Sequence, residues 1–540
     1  MHRSVIVAVA LLFPLALAAQ EPDLPSRIDQ IFARYDRNTP GCTVGLAKDG
    51  RTLYTQGYGS ANLEYGVPLT ATSVMESGSV AKQFTAAALV LLQQDGKLSL
   101  DDDIRKYLPE VPDFGRTITI RHLLTHTSGL RDQWGLLGIE GRGPGTQVHS
   151  PMTALDLVAH QKMLNFPPGT AYLYSNTGYA LAALIIERVS GKSLQEFSQE
   201  RLFRPLGMRH TQWRDDFTRV VPRRATAYSP SDSGYHTDMP FTNMVGNGGL
   251  LSTMDDLLRW NENLDHPIVG GQAFTEIMQT PMRLTNGRTI DYALGLGVGE
   301  YDGVREISHT GSTAGYRTFL ARYPDQRVSI AVWCNNSGAN AGALGHQVAD
   351  LVLTKPARTA NAASARAVRL SLAALSQWAG VYRDPTTGRA VTLTVADTAL
   401  ISGDDDVYVP TAASRFSTRS GEAAFTGAPG RRTFTLARAD GDTVRFEEVP
   451  PPASPLPTGD YVGRYVSDEL DVVLTVVAVD GKVEIRRRPN DRIAMRPTYR
   501  DAFETDEIGS VRFTRNAKGK VTGLAIFAGR VRDVRFRRVP

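Results

Sequence analysis

Residues 79–95 read SVAKQFTAAALVLLQQD. Phe84, Ala87, Ala88 and Leu91 recur at the spacing of one helix face, and Gly96 stands where a helix C-terminal cap belongs. The stretch is therefore expected to be a helix with Ser79 and Lys82 in its first turn. Positions i and i+3 share a face, so the Lys82 amine reaches the Ser79 hydroxyl. The positive end of the helix dipole and partial desolvation both lower the lysine pKa there. A neutral amine in that place can take the proton of a serine nucleophile. Alone, S-x-x-K is a weak signal, because an N-cap serine followed by a solvated lysine spells the same letters.

Working outward, residues 42–58 (CTVGLAKDGRTLYTQGY) read as a β-hairpin turning at Asp49-Gly50. Residues 118–265 are mostly helical patches, such as 152–163, 177–190 and 253–264, between Gly/Pro-rich loops. Strands return at 317–323 and 327–334, joined by Pro324-Asp325-Gln326. Strands at both ends with helices between predict one α+β domain, residues 20–355, whose terminal strands meet in a shared sheet. Residues 356–372 are rich in Ala and Arg and read as a linker or a loose connecting helix. The chain then repeats itself. Trp378-Ala379-Gly380-Val381-Tyr382 returns as Tyr461-Val462-Gly463-Arg464-Tyr465, and Val391–Val395 (VTLTV) as Val472–Val476 (VVLTV). Val444–Pro450 (VRFEEVP) returns as Val534–Pro540 (VRFRRVP). Short alternating runs and turn residues in each copy predict two small antiparallel β-barrels, 373–450 and 451–540. The proline-rich stretch Pro450–Thr458 is expected to be a semi-rigid spacer.

The chain has 540 residues, 42% of them hydrophobic and 21% charged, which is globular composition. Its 49 glycines and 30 prolines follow no period, which excludes collagen-like and low-complexity classes. The net charge of +4 is spread without a dense basic stripe, so nucleic acid is not an expected partner. Met1-His2-Arg3, the apolar run Val5–Leu17 and Ala16-Leu17-Ala18 read as a cleaved signal peptide, residues 1–19. The apolar run is 13 residues, whereas a membrane-spanning helix needs about 20. A secreted or periplasmic protein with no transmembrane segment after cleavage is expected. Its two cysteines, Cys42 and Cys334, either pair or are two small buried side chains.

Two further elements give S-x-x-K its meaning. Tyr174-Ser175-Asn176 lies within PPGTAYLYSNTGY (167–179), just before a helix expected from Thr177. His309-Thr310-Gly311 opens HTGSTAGY (309–316), at the edge of a strand where glycine lets another chain approach. S-x-x-K, Y-x-N and H-T-G in this order resemble the serine β-lactamase and penicillin-binding protein superfamily. The resemblance is to its class C-like branch of D-alanyl-D-alanine carboxypeptidases, D-aminopeptidases and β-lactamase-like esterases. ITIRHLLTHTSGL (118–130), PLGM (205–208) and NGGLLSTMDDLLRW (247–260) look like the same family. The two tail barrels resemble the extra domains of its D-aminopeptidases.

The resemblance implies an antiparallel sheet flanked by helices, an all-helical lobe, and a cleft between them. It implies Ser79 as the acylated nucleophile, with Lys82 and Tyr174 sharing proton transfer and either one the base. Asn176 would donate to the substrate amide, and His309, Thr310 and Gly311 would form the edge strand on which an extended substrate docks. The backbone N–H groups of Ser79 and Ser312 would form the oxyanion hole. Class C β-lactamases carry lysine where this chain has His309, and an imidazole is a poorer anchor for a β-lactam carboxylate. The first and last strands of the family-like sheet are neighbours, which brings a Cys42–Cys334 disulfide within reach.

The expected function is an exported serine hydrolase with no cofactor and no metal. Its expected substrates are small D-amino-acid peptides or amides, peptidoglycan fragments among them. An esterase, a weak β-lactamase and a catalytically silent peptidoglycan-binding protein are the rivals. His122 and His126 are four apart but lack the H-E-x-x-H pattern of a zinc site, and read as structural. Neither repeat holds a second S-x-x-K. The barrels are therefore expected to gate the cleft, and a chain cut near residue 365 to remain acylatable.

Overall fold

The computed structural model describes residues 23–356, 367–403, 406–438, 441–488 and 490–540. The expected signal peptide and residues 357–366 of the expected linker lie outside the described residues. The hairpin turning at Asp49-Gly50 is formed by β1 (Cys42–Lys48) and β2 (Arg51–Tyr58). Later in the chain come β3 (Gly297–Tyr301), β4 (Val304–Thr313), β5 (Tyr316–Tyr323) and β6 (Val328–Cys334). Together they make one antiparallel sheet in the order β3-β4-β5-β6-β1-β2. The terminal strands of the first unit thus meet inside the sheet. Cys42 stands opposite Cys334 in the register, and the two form a disulfide.

The helices that position the site are α1 (Leu24–Phe32), α2 (Lys82–Gln94), α3 (Gln133–Glu140), α4 (Asn176–Ser190), α5 (Met254–Asp265) and α6 (Ala341–Asp350). β6 reads VSIAVWC and is buried at every position, as a strand covered on both faces must be. Alternation sends Ile330, Val332 and Cys334 to one face, against Ile28 and Phe32 of α1 and Leu344 and Val348 of α6. It sends Ala331 and Trp333 to the other face, into the core shared with α2, α4 and α5. α2 is buried from Lys82 through Leu92. Its alanines at 86–88 let it sit between the sheet and the helical lobe, and this central position explains how a lysine comes to lie wholly inside.

Each repeat closes into an eight-stranded antiparallel barrel, the first from Gly380–Arg383 to Thr443–Glu448 and the second from Gly463–Val466 to Val531–Val539. The repeated pentapeptide has one role in both. The Tyr382 hydroxyl donates to the Trp378 carbonyl at 2.8 Å, and the Tyr465 hydroxyl to the Tyr461 carbonyl at 2.7 Å. The glycine between them takes a φ of 153° in one copy and 155° in the other, which favours glycine.

The second barrel is joined to the first unit through α3. Leu136, Leu137 and Ile139 belong to the same apolar core as Tyr465, Ile526 and Val531. A side chain at Gly135 would come within 2.6 Å of Val531, so α3 lies directly on the barrel. The fully buried Arg131 pairs with Glu469 at 2.5 Å and donates to the Arg532 carbonyl at 3.0 Å and the Asp533 carbonyl at 3.2 Å. A chain cut near residue 365 would expose these apolar residues and strand the buried cation.

Removing one partner of a buried ion pair costs ~3–5 kcal/mol. Glu469→Ala is expected to lower the unfolding free energy by about that amount, read from urea denaturation. Denatured, unreduced protein is expected to show no titratable thiol. The disulfide closes a separation of 292 residues, so reduction is expected to remove up to roughly 5 kcal/mol of stability on the chain-entropy account.

Candidate active site

Ser79 does not lie in the α-helix that the periodicity predicts. Gly78–Ala81 is a 3₁₀ turn, and α2 begins at Lys82. The cause is the close approach of β4. Gly78 has a φ of 51°, and a side chain there would come within 2.6 Å of the Ser312 nitrogen. A side chain at Gly311 would come within 2.0 Å of the Ser77 carbonyl oxygen and 3.2 Å of the Ser79 nitrogen. Two glycines thus let strand and turn touch, and the backbone nitrogens of Ser79 and Ser312 converge there. In a 3₁₀ turn side chains at i and i+3 eclipse, which stacks Lys82 beneath Ser79.

The Lys82 Nζ lies 3.1 Å from Ser79 Oγ, 2.9 Å from Asn176 Oδ1 and 2.6 Å from the Asn247 carbonyl oxygen. The last two accept only. With the amine neutral, its two N–H bonds go to those carbonyls and its lone pair faces the Ser79 hydroxyl. Burial holds the Lys82 pKa well below its ordinary value, against an opposing pull from Asp132.

Asp132 caps α3 and organises this arrangement. Its Oδ1 accepts from the Trp134 amide at 3.0 Å. Its Oδ2 accepts from the Asn176 amide at 2.6 Å and from Asn176 Nδ2 at 3.0 Å. That fixes the Asn176 side chain with its oxygen on Lys82. One N–H of Asn176 is thereby committed to Asp132, and only the second is left for a substrate.

The Tyr174 hydroxyl is buried, and among the described residues none forms a well-aligned hydrogen bond with it. Burial raises its pKa, with Ser79 and Arg530 pulling the other way. Tyr174 is thus a neutral phenol, its ring 4.9 Å from Lys82 Nζ and 4.5 Å from the Arg530 guanidinium.

β3 pairs with residues 304–308 only, so residues 309–313 keep a free outer edge beside the turn of Ser79. Thr310 and Ser312 are exposed there, while Gly311 is buried under the turn. His309 is buried and neutral. Its Nδ1 meets the Thr310 carbonyl, which only accepts, so Nδ1 carries the hydrogen. Its Nε2 therefore accepts from the Tyr292 hydroxyl at 2.9 Å. The Tyr292 oxygen lies 3.1 Å from His126 Nε2, and His126 Nδ1 lies 3.1 Å from the Ser175 carbonyl oxygen and 3.2 Å from the Ser175 amide nitrogen. One chain of buried contacts thus ties the Y-x-N segment to the H-T-G strand. His126 is the structural histidine expected from its motif, and His122 caps its own helix through Nδ1.

A cavity of about 1010 Å³ opens over Ser79, lined also by Tyr174, Asn176, Thr310, Ser312 and Arg530. Asp132, Tyr292 and Arg530 were not singled out from the sequence. Asn247 lies in a family-like stretch, but it acts through its carbonyl, which every residue type possesses.

A serine activated by a buried lysine, on a turn facing a strand edge, defines a serine hydrolase of the S-x-x-K kind. The family model described as Beta-lactamase matches residues 28–353, and the chain belongs to that family. A D-aminopeptidase of Brucella anthropi is 28% identical over 531 residues, covering 93% of this chain and 95% of that one. Penicillin-binding protein 4* of Bacillus subtilis (strain 168) is 33% identical over 313 residues, 54% of this chain and 67% of that protein. The structure of an octameric penicillin-binding protein homologue from Pyrococcus abyssi shares the fold, with a TM-score of 0.54 at 23% identity over 87% of this chain and 98% of that one.

Burial lowers the His309 pKa to about 4, with Lys82 adding to the effect. An unfolded histidine titrates near 6.5. Between those values the unfolded chain binds the extra proton, so this contribution is intact above pH ~6.5 and lost as the pH falls toward 4. One such group is worth ~3 kcal/mol, and His126 shifts in the same direction. Urea midpoints are expected to fall from pH 7.5 to 4.5 more steeply in wild type than in His309→Gln.

Proposed function

We propose that this protein is an exported hydrolase of D-amino-acid peptides or amides, working through an acyl-enzyme on Ser79. The observation that carries the reading is the environment of Lys82. Two carbonyls hold its N–H bonds and turn its remaining position to Ser79. In this reading neutral Lys82 takes the Ser79 proton while Oγ attacks the substrate carbonyl carbon. The oxyanion falls to the N–H groups of Ser79 and Ser312; one such donor is typically worth ~2.7–4 kcal/mol of barrier. Tyr174, a neutral phenol, gives its proton to the leaving amine and regains one from Lys82. Water then enters by the reverse course and frees the acid.

The free outer edge of residues 309–313 suits an extended substrate added as a strand, with Thr310 and Ser312 facing it. The D-preference is drawn from the D-aminopeptidase relatives, which match both barrels as well as the first unit. Export rests on the residues 1–19 reading and on the disulfide. Among the described residues no helix is long and apolar enough to cross a membrane. Cell-wall fragments are the natural exported source of D-configured peptides.

Ser79→Ala is expected to abolish turnover with the fold intact, and a fluorophosphonate adduct is expected on Ser79 by mass spectrometry. Lys82→Ala and Tyr174→Phe should each cost several orders of magnitude in kcat/KM. Their double variant should lose little more, since the two act as a unit. An adduct on another serine would overturn the assignment.

Neutral His309 offers a β-lactam carboxylate no fixed charge. Nitrocefin is therefore expected to acylate slowly, and His309→Lys to speed acylation about ten-fold, equivalent to ~1.4 kcal/mol. Among neutral amides the D-form is expected to be cleaved faster than the L-form. Rapid nitrocefin turnover with no amide hydrolysis would mark a β-lactamase, and hydrolysis of short-chain esters alone would mark an esterase.

A further inference from the structure

Arg530 sits at the tip of the turn between the last two strands, Val521–Ala528 and Val531–Val539, yet it lines the cavity above Ser79. The tip is held in place. The Arg530 carbonyl accepts from Asn165 Nδ2 at 2.9 Å, and the Arg532 amide donates to Asn165 Oδ1 at 2.8 Å. Arg131 grips the Arg532 and Asp533 carbonyls. The Arg530 guanidinium carbon lies 4.5 Å from the centre of the Tyr174 ring, and the side chain is 47% exposed.

Among the described residues its one ion pair is a long one. The carboxylate of Asp132 has its Oδ2 3.9 Å away, and that oxygen already accepts two hydrogen bonds from Asn176. The other charged groups on the cavity wall are Glu76, Arg214, Asp238 and Arg317. Glu76 is bound by Arg214 through contacts of 2.7 and 3.1 Å. Asp238 accepts from Ser229 Oγ at 2.6 Å, and Arg317 donates to the Ala314 and Tyr316 carbonyls. Lys82 is buried beneath Ser79, and His309 is neutral with both nitrogens engaged. A fixed guanidinium beside the reacting serine, stacked on the residue read as the proton donor, is a preorganised fork for a planar anion.

We propose that Arg530, supplied by the second barrel, determines specificity by binding a substrate carboxylate next to the scissile bond. This rests on the hydrolase reading and narrows it: the preferred substrates are D-peptides carrying a free carboxylate, and a free amino terminus in the same place is repelled. The carboxylate is either the peptide C-terminus or an acidic side chain.

The test is calorimetric binding to the full-length Ser79→Ala protein, which needs no turnover. The ligands are N-acetyl-D-Ala-D-Ala, its C-terminal amide, and N-acetyl-D-Glu-D-Ala amide. At least one acid is expected to bind about ten-fold or more tighter than the neutral amide, as a charge-assisted bond allows. Which acid does so identifies the source of the carboxylate. Adding Arg530→Gln is expected to bring that ratio to within about two-fold, and Arg530→Lys to restore part of it. Equal affinities, a gap that survives Arg530→Gln, or no binding of any ligand would overturn the proposal. Wild-type turnover of the same peptides separates the two readings. If the acid binds through Arg530 but no D-peptide is cleaved, the D-peptide hydrolase reading fails while the carboxylate site stands. If acid and amide are cleaved equally, the carboxylate site alone fails.

Discussion

The structure depends on keeping one amine dry. Lys82 is fully buried, has no carboxylate within hydrogen-bonding distance among the described residues, and is held by two carbonyl oxygens. An isolated ammonium in that place is costly, so the neutral form is favoured and its lone pair is directed at Ser79. Everything that encloses α2 serves this end. α4, the helix Gly271–Gln279 and Trp260 of α5 all pack on it within the main core. Asp132 keeps Asn176 turned the right way from a position that does not touch the amine. The carboxylate is near enough to orient the site but is separated from Lys82 by one amide, so it does not pin the lysine in its charged state by direct pairing.

The second constraint is contact between backbones. The turn of Ser79 and the strand of Thr310 meet where Gly78 and Gly311 leave no side chain between them. That contact brings the nitrogens of Ser79 and Ser312 together and lifts Ser79 out of the α-helix into a 3₁₀ turn. The histidine–tyrosine–histidine chain performs a related task on the other side of the cleft. It joins the segment that carries Tyr174 and Asn176 to β4 through buried groups, from the Ser175 backbone at one end to the Thr310 carbonyl at the other.

What could be read from the sequence was what is local in it. The hairpin at Asp49-Gly50, the S-x-x-K spacing, the buried run of β6 and the repeated W/Y-x-G-x-Y pentapeptides each announce themselves within a few residues. The pentapeptide is explained by a hydrogen bond between residues four apart. Family resemblance then brought distant motifs together, and the Cys42–Cys334 pairing followed from the neighbouring terminal strands. What could not be read depends on unlike elements meeting. Asp132 acts on a residue 44 positions away, and Tyr292 on one 166 positions away. A lone Asp or Tyr carries no mark of such a partner. The start of α2 was misplaced because periodicity cannot show β4 pressing on the turn.

The same reasoning changes the view of the tail. Two barrels without an S-x-x-K of their own read as accessories, yet the core of the second continues into α3, and α3 begins at the aspartate that orients Asn176. Barrel and reacting groups are thus coupled through one short helix, capped by Asp132 at one end and packed against Val531 along its side. Arg131, immediately before that cap, is anchored in the barrel by Glu469 and two carbonyls. A displacement of the barrel therefore cannot leave Asp132 where it is, and a displaced Asp132 releases Asn176 from Lys82. The barrel belongs to the support of the dry amine as well as to the wall of the cleft.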